Sequence, residues 1–208
     1  MKKLITYSLL FFSPFMFGQN IFFNSGVNLT KYDYKNSSGE ENPNINQSNG
    51  VFFEIGTSFN LISGNSGDQK LNLKPSLVLN EYNATGGNNF DNYDWNTQFF
   101  GLKVVLDYLI FNTDSFSTSI EGGFSLESLM QGNQKIGGTT YDLTKSEEFG
   151  GSFFAPNLGV NIVFNANEDI GISTGINFHN LSSSKTSQNG EKLNIINTQL
   201  ALGIIINL

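Results

Sequence analysis

Asn197-Thr-Gln-Leu-Ala-Leu-Gly-Ile-Ile-Ile-Asn-Leu208 decides the fold. Leu200, Leu202, Ile204, Ile206 and Leu208 share one face of a strand of period two, and Asn197, Gln199, Ala201, Gly203 and Asn207 share the other. A chain that stops on such a strand, after an export signal and several similar strands, predicts a barrel in a membrane.

The same alternation recurs upstream. Candidate strands run roughly over 21–34, 50–62, 70–83, 96–110, 115–128, 149–164, 169–180 and 193–208. In the second, Val51, Phe53, Ile55, Thr57, Phe59 and Leu61 oppose Phe52, Glu54, Gly56, Ser58 and Asn60. In the seventh, Ile170, Ile172, Thr174, Ile176 and Phe178 oppose Gly171, Ser173, Gly175, Asn177 and His179. No stretch of helical period competes. Connections alternate, long and polar near 35–49, 84–95, 129–148 and 181–192, short near 63–69, 111–114 and 165–168. That asymmetry belongs to an eight-stranded antiparallel up-and-down transmembrane β-barrel, with short periplasmic turns and long outer loops. Pro75 and Pro156 fall inside strands, each removing a ladder donor, and predict bulges or lapses in pairing.

Aromatic residues are expected in two belts, where a ring with a polar tip suits the membrane interface. Tyr108, Phe111, Phe116 and Phe164 lie by the periplasmic end, and Tyr32, Tyr82, Tyr93 and Trp95 by the outer end.

Met1-Lys2-Lys3 followed by apolar Leu4 to Phe17 and small Gly18 predicts a signal peptide over 1–19 and one barrel domain over 20–208. The run is too short for a membrane helix, and no later stretch reads as one. The formal net charge is −7, with no basic cluster, which argues against a nucleic-acid partner. Zero cysteines exclude disulfides, thiolate metal sites and a cysteine nucleophile.

Alternation does not say which face is inside. Only 14% of residues are charged, too few to coat a soluble barrel, so the apolar face is assigned to lipid. The small polar face then fills a narrow lumen. Glu54, Lys74, Lys103, Asp107 and Glu121 become lumen charges, with Lys74–Asp107 and Lys103–Glu121 as the expected pairs, because isolated buried ions are costly. The alternative is hydration of these groups by lumen water. A soluble lipocalin-like barrel around an apolar ligand is the competing architecture; it usually carries Gly-x-Trp on the first strand and a helix after the last, and this chain has neither.

His179 is the only histidine, so a Ser/His/Asp site or an imidazole metal cluster must use it. Ser173 and Ser182 to Ser184 are the nearby hydroxyls, giving the minor reading of a lipid-modifying enzyme at the rim; the main expectation is no catalysis. Glu40, Glu41, Asp91, Asp94, Glu147 and Glu148 lack Ca²⁺-loop spacing and read as solvated charge. Gly86-Gly87 and Gly137-Gly138 have no Lys-Ser/Thr after them and are not phosphate cradles. No metal or cofactor is expected.

With the signal ending Phe17-Gly18-Gln19, the strand–loop alternation and the last strand in place, the mature chain resembles the small outer-membrane β-barrel proteins of Gram-negative bacteria, in particular the OmpA/OmpX-like barrel domain common in Bacteroidota. Such families end in a signal of the form polar-x-Gly-x-x-apolar-x-apolar. Gly203, Ile206 and Leu208 fit it, while Ala201 stands at the polar position and Leu208 where an aromatic is usual. The resemblance implies location in the cell outer membrane, lipid and barrel-assembly machinery as partners, and an extracellular ligand of unknown kind for the loops.

Overall fold

The computed structural model describes residues 20–63, 69–87, 92–183 and 190–208. The expected signal peptide, Asp91 and Ser184 lie outside the described residues. Among the described residues nine strands form: β1 (Asn20–Lys35), β2 (Ile45–Ser63), β3 (Gln69–Gly87), β4 (Asn92–Asn112), β5 (Phe116–Ile136), β6 (Thr139–Asp142), β7 (Ser152–Asn165), β8 (Ile170–Ser183) and β9 (Lys192–Asn207). Two 3-10 turns, Leu143–Lys145 and Glu147–Phe149, lie between β6 and β7. Eight strands close into a ring in which every neighbouring pair is antiparallel, with β9 against β1 and β5 against both β4 and β7. The seam between β1 and β9 is paired from Asn20↔Asn207 to Lys35↔Lys192, which leaves no open edge along it.

The ninth strand was not foreseen. β5 runs on to Ile136 and turns through Gly137-Gly138, with φ of 54° and 87°, into β6. Two consecutive positive φ values are what a two-residue type I′ hairpin demands, and glycine adopts them without a Cβ clash. The expected polar loop over 129–148 is therefore mostly a hairpin. The other strands also rise further than their alternation suggested, and the sixth begins at 152 rather than 149.

The apolar side chains change sides along the barrel. On the outside, stretches 21–29, 51–61, 71–79, 100–110, 116–126, 154–164, 170–178 and 196–206 carry the outward apolar residues, each roughly ten residues long, the length a tilted strand needs to cross hydrocarbon. Leu202 and Phe178, 67% and 56% exposed, would be hard to account for in water. This band makes the barrel a transmembrane one. Above it, the outward positions turn polar at Lys31, Asn49, Glu81, Gln98, Asn180 and Asn194. There the inward positions become apolar: Tyr32, Phe99, Phe153, Leu181, Leu193 and Ile195 are buried in one core. The lower part of the wall is a membrane barrel, and the upper part has the inside-out pattern of a barrel in water.

Neither proline makes a bulge. Pro75 pairs with Val104 of β4, and Pro156 with Phe124 of β5. On the other side the ladder skips Thr57–Ser58 opposite Lys74–Pro75, and Ala155–Pro156 opposite Asn180–Leu181, without a change of register. The missing N–H costs pairing on one flank only.

Candidate functional site

The lumen is filled in three levels, named from the end where Asn20 and Asn207 lie. The lowest is a cavity of about 500 Å³, lined by Asn20, Asn72, Asp107, Ser119 and Asn161, with Lys74 among its lining groups.

Next come the charges. All five expected lumen charges point inward. Lys74 Nζ lies 2.5 Å from Glu121 Oε1 and 4.0 Å from Asp107 Oδ2. Lys103 Nζ lies 3.3 Å from Glu54 Oε2, and Glu54 also accepts from Ser76 Oγ at 2.7 Å and Asn24 Nδ2 at 3.3 Å. The expected Lys103–Glu121 pair is not formed. The β4–β5 turn sits at 113–115 rather than 111–114, and the ladder shifts at Ile110, so Glu121 stands opposite Asp107 while Lys103 faces Ser125. That displacement hands Glu121 to Lys74 and leaves Lys103 to Glu54.

Glu127, unnoticed in the sequence, is 1% exposed and has neutral donors: Ser125 Oγ at 2.6 Å, Asn80 Nδ2 at 3.0 Å and Tyr82 Oη at 3.1 Å. Its signal was plain, since it continues the inward parity of Glu121 and Ser125. An amide network extends it across the lumen. Asn28 donates to Asn80 Oδ1 at 3.3 Å and accepts from Asn197 Nδ2 at 2.9 Å and Gln199 Nε2 at 3.1 Å. Buried amides bonded to one another in this way leave little freedom for a passing ion.

The highest level is the apolar core, where Tyr82 and Phe99 pack tilted and Phe99 and Phe153 edge to face, with centroids 5.4 Å and 5.2 Å apart. Leu143 and Phe149, one from each 3-10 turn, are 2% and 5% exposed and close it from above. Asp142 caps the first turn by accepting from Thr144 Oγ1 at 2.6 Å and from Thr144 N at 3.0 Å, and these bonds, the hydroxyl's first, hold its carboxyl below the usual range.

The aromatic belts divide. Tyr108, Phe111, Phe116 and Phe164 are exposed on the lower outside, with Phe111–Phe116 and Phe116–Phe164 centroids 5.3 Å and 6.3 Å apart. The outer belt is not where it was expected. Tyr32 and Tyr82 are buried inside the barrel, and Tyr93 and Trp95 line a cavity in its mouth. All four sit on the inward parity of their strands, and above the band that face is the dry one.

His179 is buried, opposite Asn157 and Asn197. Ser173 is not brought to it; its hydroxyl donates to Asn24 Oδ1 at 3.2 Å. Ser182 donates to Asn194 Oδ1 at 3.1 Å. Among the described residues no group of three His, Cys, Asp or Glu side chains could hold a metal ion, and Glu41 is paired with Lys35 at 3.0 Å. Ile206 and Leu208 lie exposed at the lower rim. Gly203 faces the lumen instead: a Cβ there would collide with Asn24 Oδ1 and Ser173 Oγ, so the glycine makes room for their hydrogen bond. A soluble carrier needs an apolar lumen, whereas here the charges and amides are inside and the apolar surface is outside.

No protein-family model matches the chain, and no curated protein matches it. Among solved structures it is similar to Neisserial surface protein A (NspA), at 12% identity over 90% of this chain and 97% of that one, with a TM-score of 0.49. It is also similar to the N-terminal β-barrel domain of Pseudomonas aeruginosa OprF, at 10% identity over 92% and 98%, TM-score 0.45. The attachment invasion locus protein Ail of Yersinia pestis follows at 11% identity over 89% and 99%, TM-score 0.39.

Proposed function

We propose that the protein is an integral outer-membrane barrel with a closed lumen, non-catalytic, serving a structural or surface-binding role at its upper, outward-facing end. The observation that carries this is the sealed interior: ion pairs and amides cross the barrel at mid-height, and an apolar core closes it above. The export signal predicted from the sequence and the lipid-facing band support the location, and insertion by barrel-assembly machinery is expected with it. The extramembrane end, with its own core and the covering β6–3-10 segment, is the part available to a ligand.

Cell fractionation with heat-modifiable gel migration tests the location. The chain is expected to stay with outer membranes through detergent-free washing and to migrate faster unheated. Planar-bilayer recording tests the seal, with no unit conductance steps expected. Release without detergent sinks the membrane assignment, and regular conductance steps sink the closed lumen.

A further inference from the structure

Above the apolar band a cavity of about 290 Å³ opens in the mouth of the barrel. Its floor is Tyr32 and Phe149, both buried, and its walls are Tyr34, Tyr93 and Trp95, all partly exposed. Ring centroids lie 6.3 Å apart for Tyr32–Trp95, 6.2 Å for Tyr32–Phe149 and 5.8 Å for Tyr93–Trp95, with planes inclined by 43°, 49° and 37°. The floor is fixed, because Tyr32 Oη donates to the Tyr82 carbonyl at 2.8 Å and lies 2.8 Å from Thr97 Oγ1. Glu148 lines the cavity, and Glu191 bonds the hydroxyl of Tyr34.

We propose that this cup binds a quaternary or methylated ammonium group carried by an organic cation. Aromatic faces present the negative side of their quadrupole, and several of them around one cavity favour a cation with a weakly held hydration shell. The rings that line the cavity are inclined to one another rather than stacked flat, an arrangement suited to a compact, rounded group. A sugar would prefer one flat, open ring face. Carboxylates add attraction: among the described residues outside the band the ion pairs are Lys35–Glu41 and Lys145–Asp142, so neither Glu148 nor Glu191 is ion-paired with a described lysine. Burial, then Glu191 and Glu148, push the Tyr34 phenol up to about 12, the direction that carboxylates at the cup impose. The volume is near the small end of ligand pockets, which run from about 300 Å³ upward.

This site gives the surface-binding reading above its ligand class and rests on that reading only for facing the medium. Trp95 is the only tryptophan of the chain, so its fluorescence reports the cup directly. The full chain, in a polyoxyethylene detergent free of choline groups, is titrated with choline, phosphocholine, glucose and the neutral choline isostere 3,3-dimethyl-1-butanol. Choline is expected to give a saturable change, with the isostere at least tenfold weaker. By calorimetry, Tyr93→Ala and Glu148→Gln, each verified as folded by gel migration, are expected to weaken choline by roughly three- to tenfold.

Phosphocholine binding as well as choline identifies a lipid or polymer headgroup as the source; choline binding better identifies a free cation. Equal binding of the isostere, a response to glucose alone, or unchanged affinity in both variants overturns the proposal. A folded, membrane-retained barrel that ignores choline refutes the cup alone, and choline binding by a chain that washes free of membranes refutes the location alone.

Discussion

Lys103→Met puts the sealed lumen to its strictest test. The Lys103 and Glu54 side chains are 4% and 6% exposed, and their charged atoms are 3.3 Å apart. At an effective dielectric near 20 the attraction is about 5 kcal/mol, and breaking one side of a buried pair typically costs about 3–5 kcal/mol because the other charge is stranded. Glu54 would keep Ser76 and Asn24 as donors, so the lower end, about 3 kcal/mol, is the expected loss. Glu54→Gln alone strands Lys103 and should cost a similar amount. Lys103→Met with Glu54→Gln removes both charges while an amide still bonds Ser76, and should fall within about 1 kcal/mol of the parent. Urea unfolding in lipid vesicles, followed by Trp95 fluorescence and gel migration, closes the cycle. Additive single losses each under about 1 kcal/mol would show the pair to be hydrated, and the mid-barrel seal would have to be abandoned.

Other consequences follow from the same geometry. Phe149→Ala removes a ring from the top of the upper core and should cost about 3 kcal/mol in that segment, seen as faster hydrogen exchange over 137–151 while exchange in the band is unchanged; uniform loss everywhere would show the cap and the band to be one unit. Gly203→Val should impair folding through its clash with the Asn24 and Ser173 side chains and the Phe23 carbonyl, and Asn24→Ala should restore part of it; no restoration would place the defect in the backbone contact or in the assembly signal instead. Tyr34 should titrate near 12, and Glu191→Gln should lower that value, measured by ultraviolet absorbance of single-tyrosine variants. Since the folded value lies above the unfolded one of about 10, its effect is constant below pH 10 and stability declines as pH rises from there toward 12.

The wall was legible because lipid imposes a period-two pattern over each crossing, and eight such runs with alternating connections have few other solutions. The lumen pairings were not. They depend on strand stagger, and each residue by which a turn is displaced moves one strand by two against its neighbour. The mouth was missed for another reason. Doublets such as Phe99-Phe100, Phe153-Phe154 and Ile195-Ile196 look like noise in an alternating strand, yet each has its first member buried and its second exposed. They mark the height at which the dry side of the wall passes from outside to inside.

That change of phase also explains why aromatic residues gather in the mouth. A strand leaving hydrocarbon has no solvent reason to keep apolar groups outward, and continuing in pairing requires something to fill the ring within. Large planar side chains fill a circle of eight strands with few residues, as Tyr82, Phe99 and Phe153 do around fully buried Ile195 and Leu181. The filling thins toward the top, where Tyr93 and Trp95 have ring neighbours on one side and open space on the other. Rings needed for packing below thus become a recognition surface above, and the two carboxylates at that level bias it toward cations. If the cup were only the ragged end of the core, replacing Glu148 would leave choline affinity unchanged. A drop in affinity without a loss of stability would separate recognition from packing.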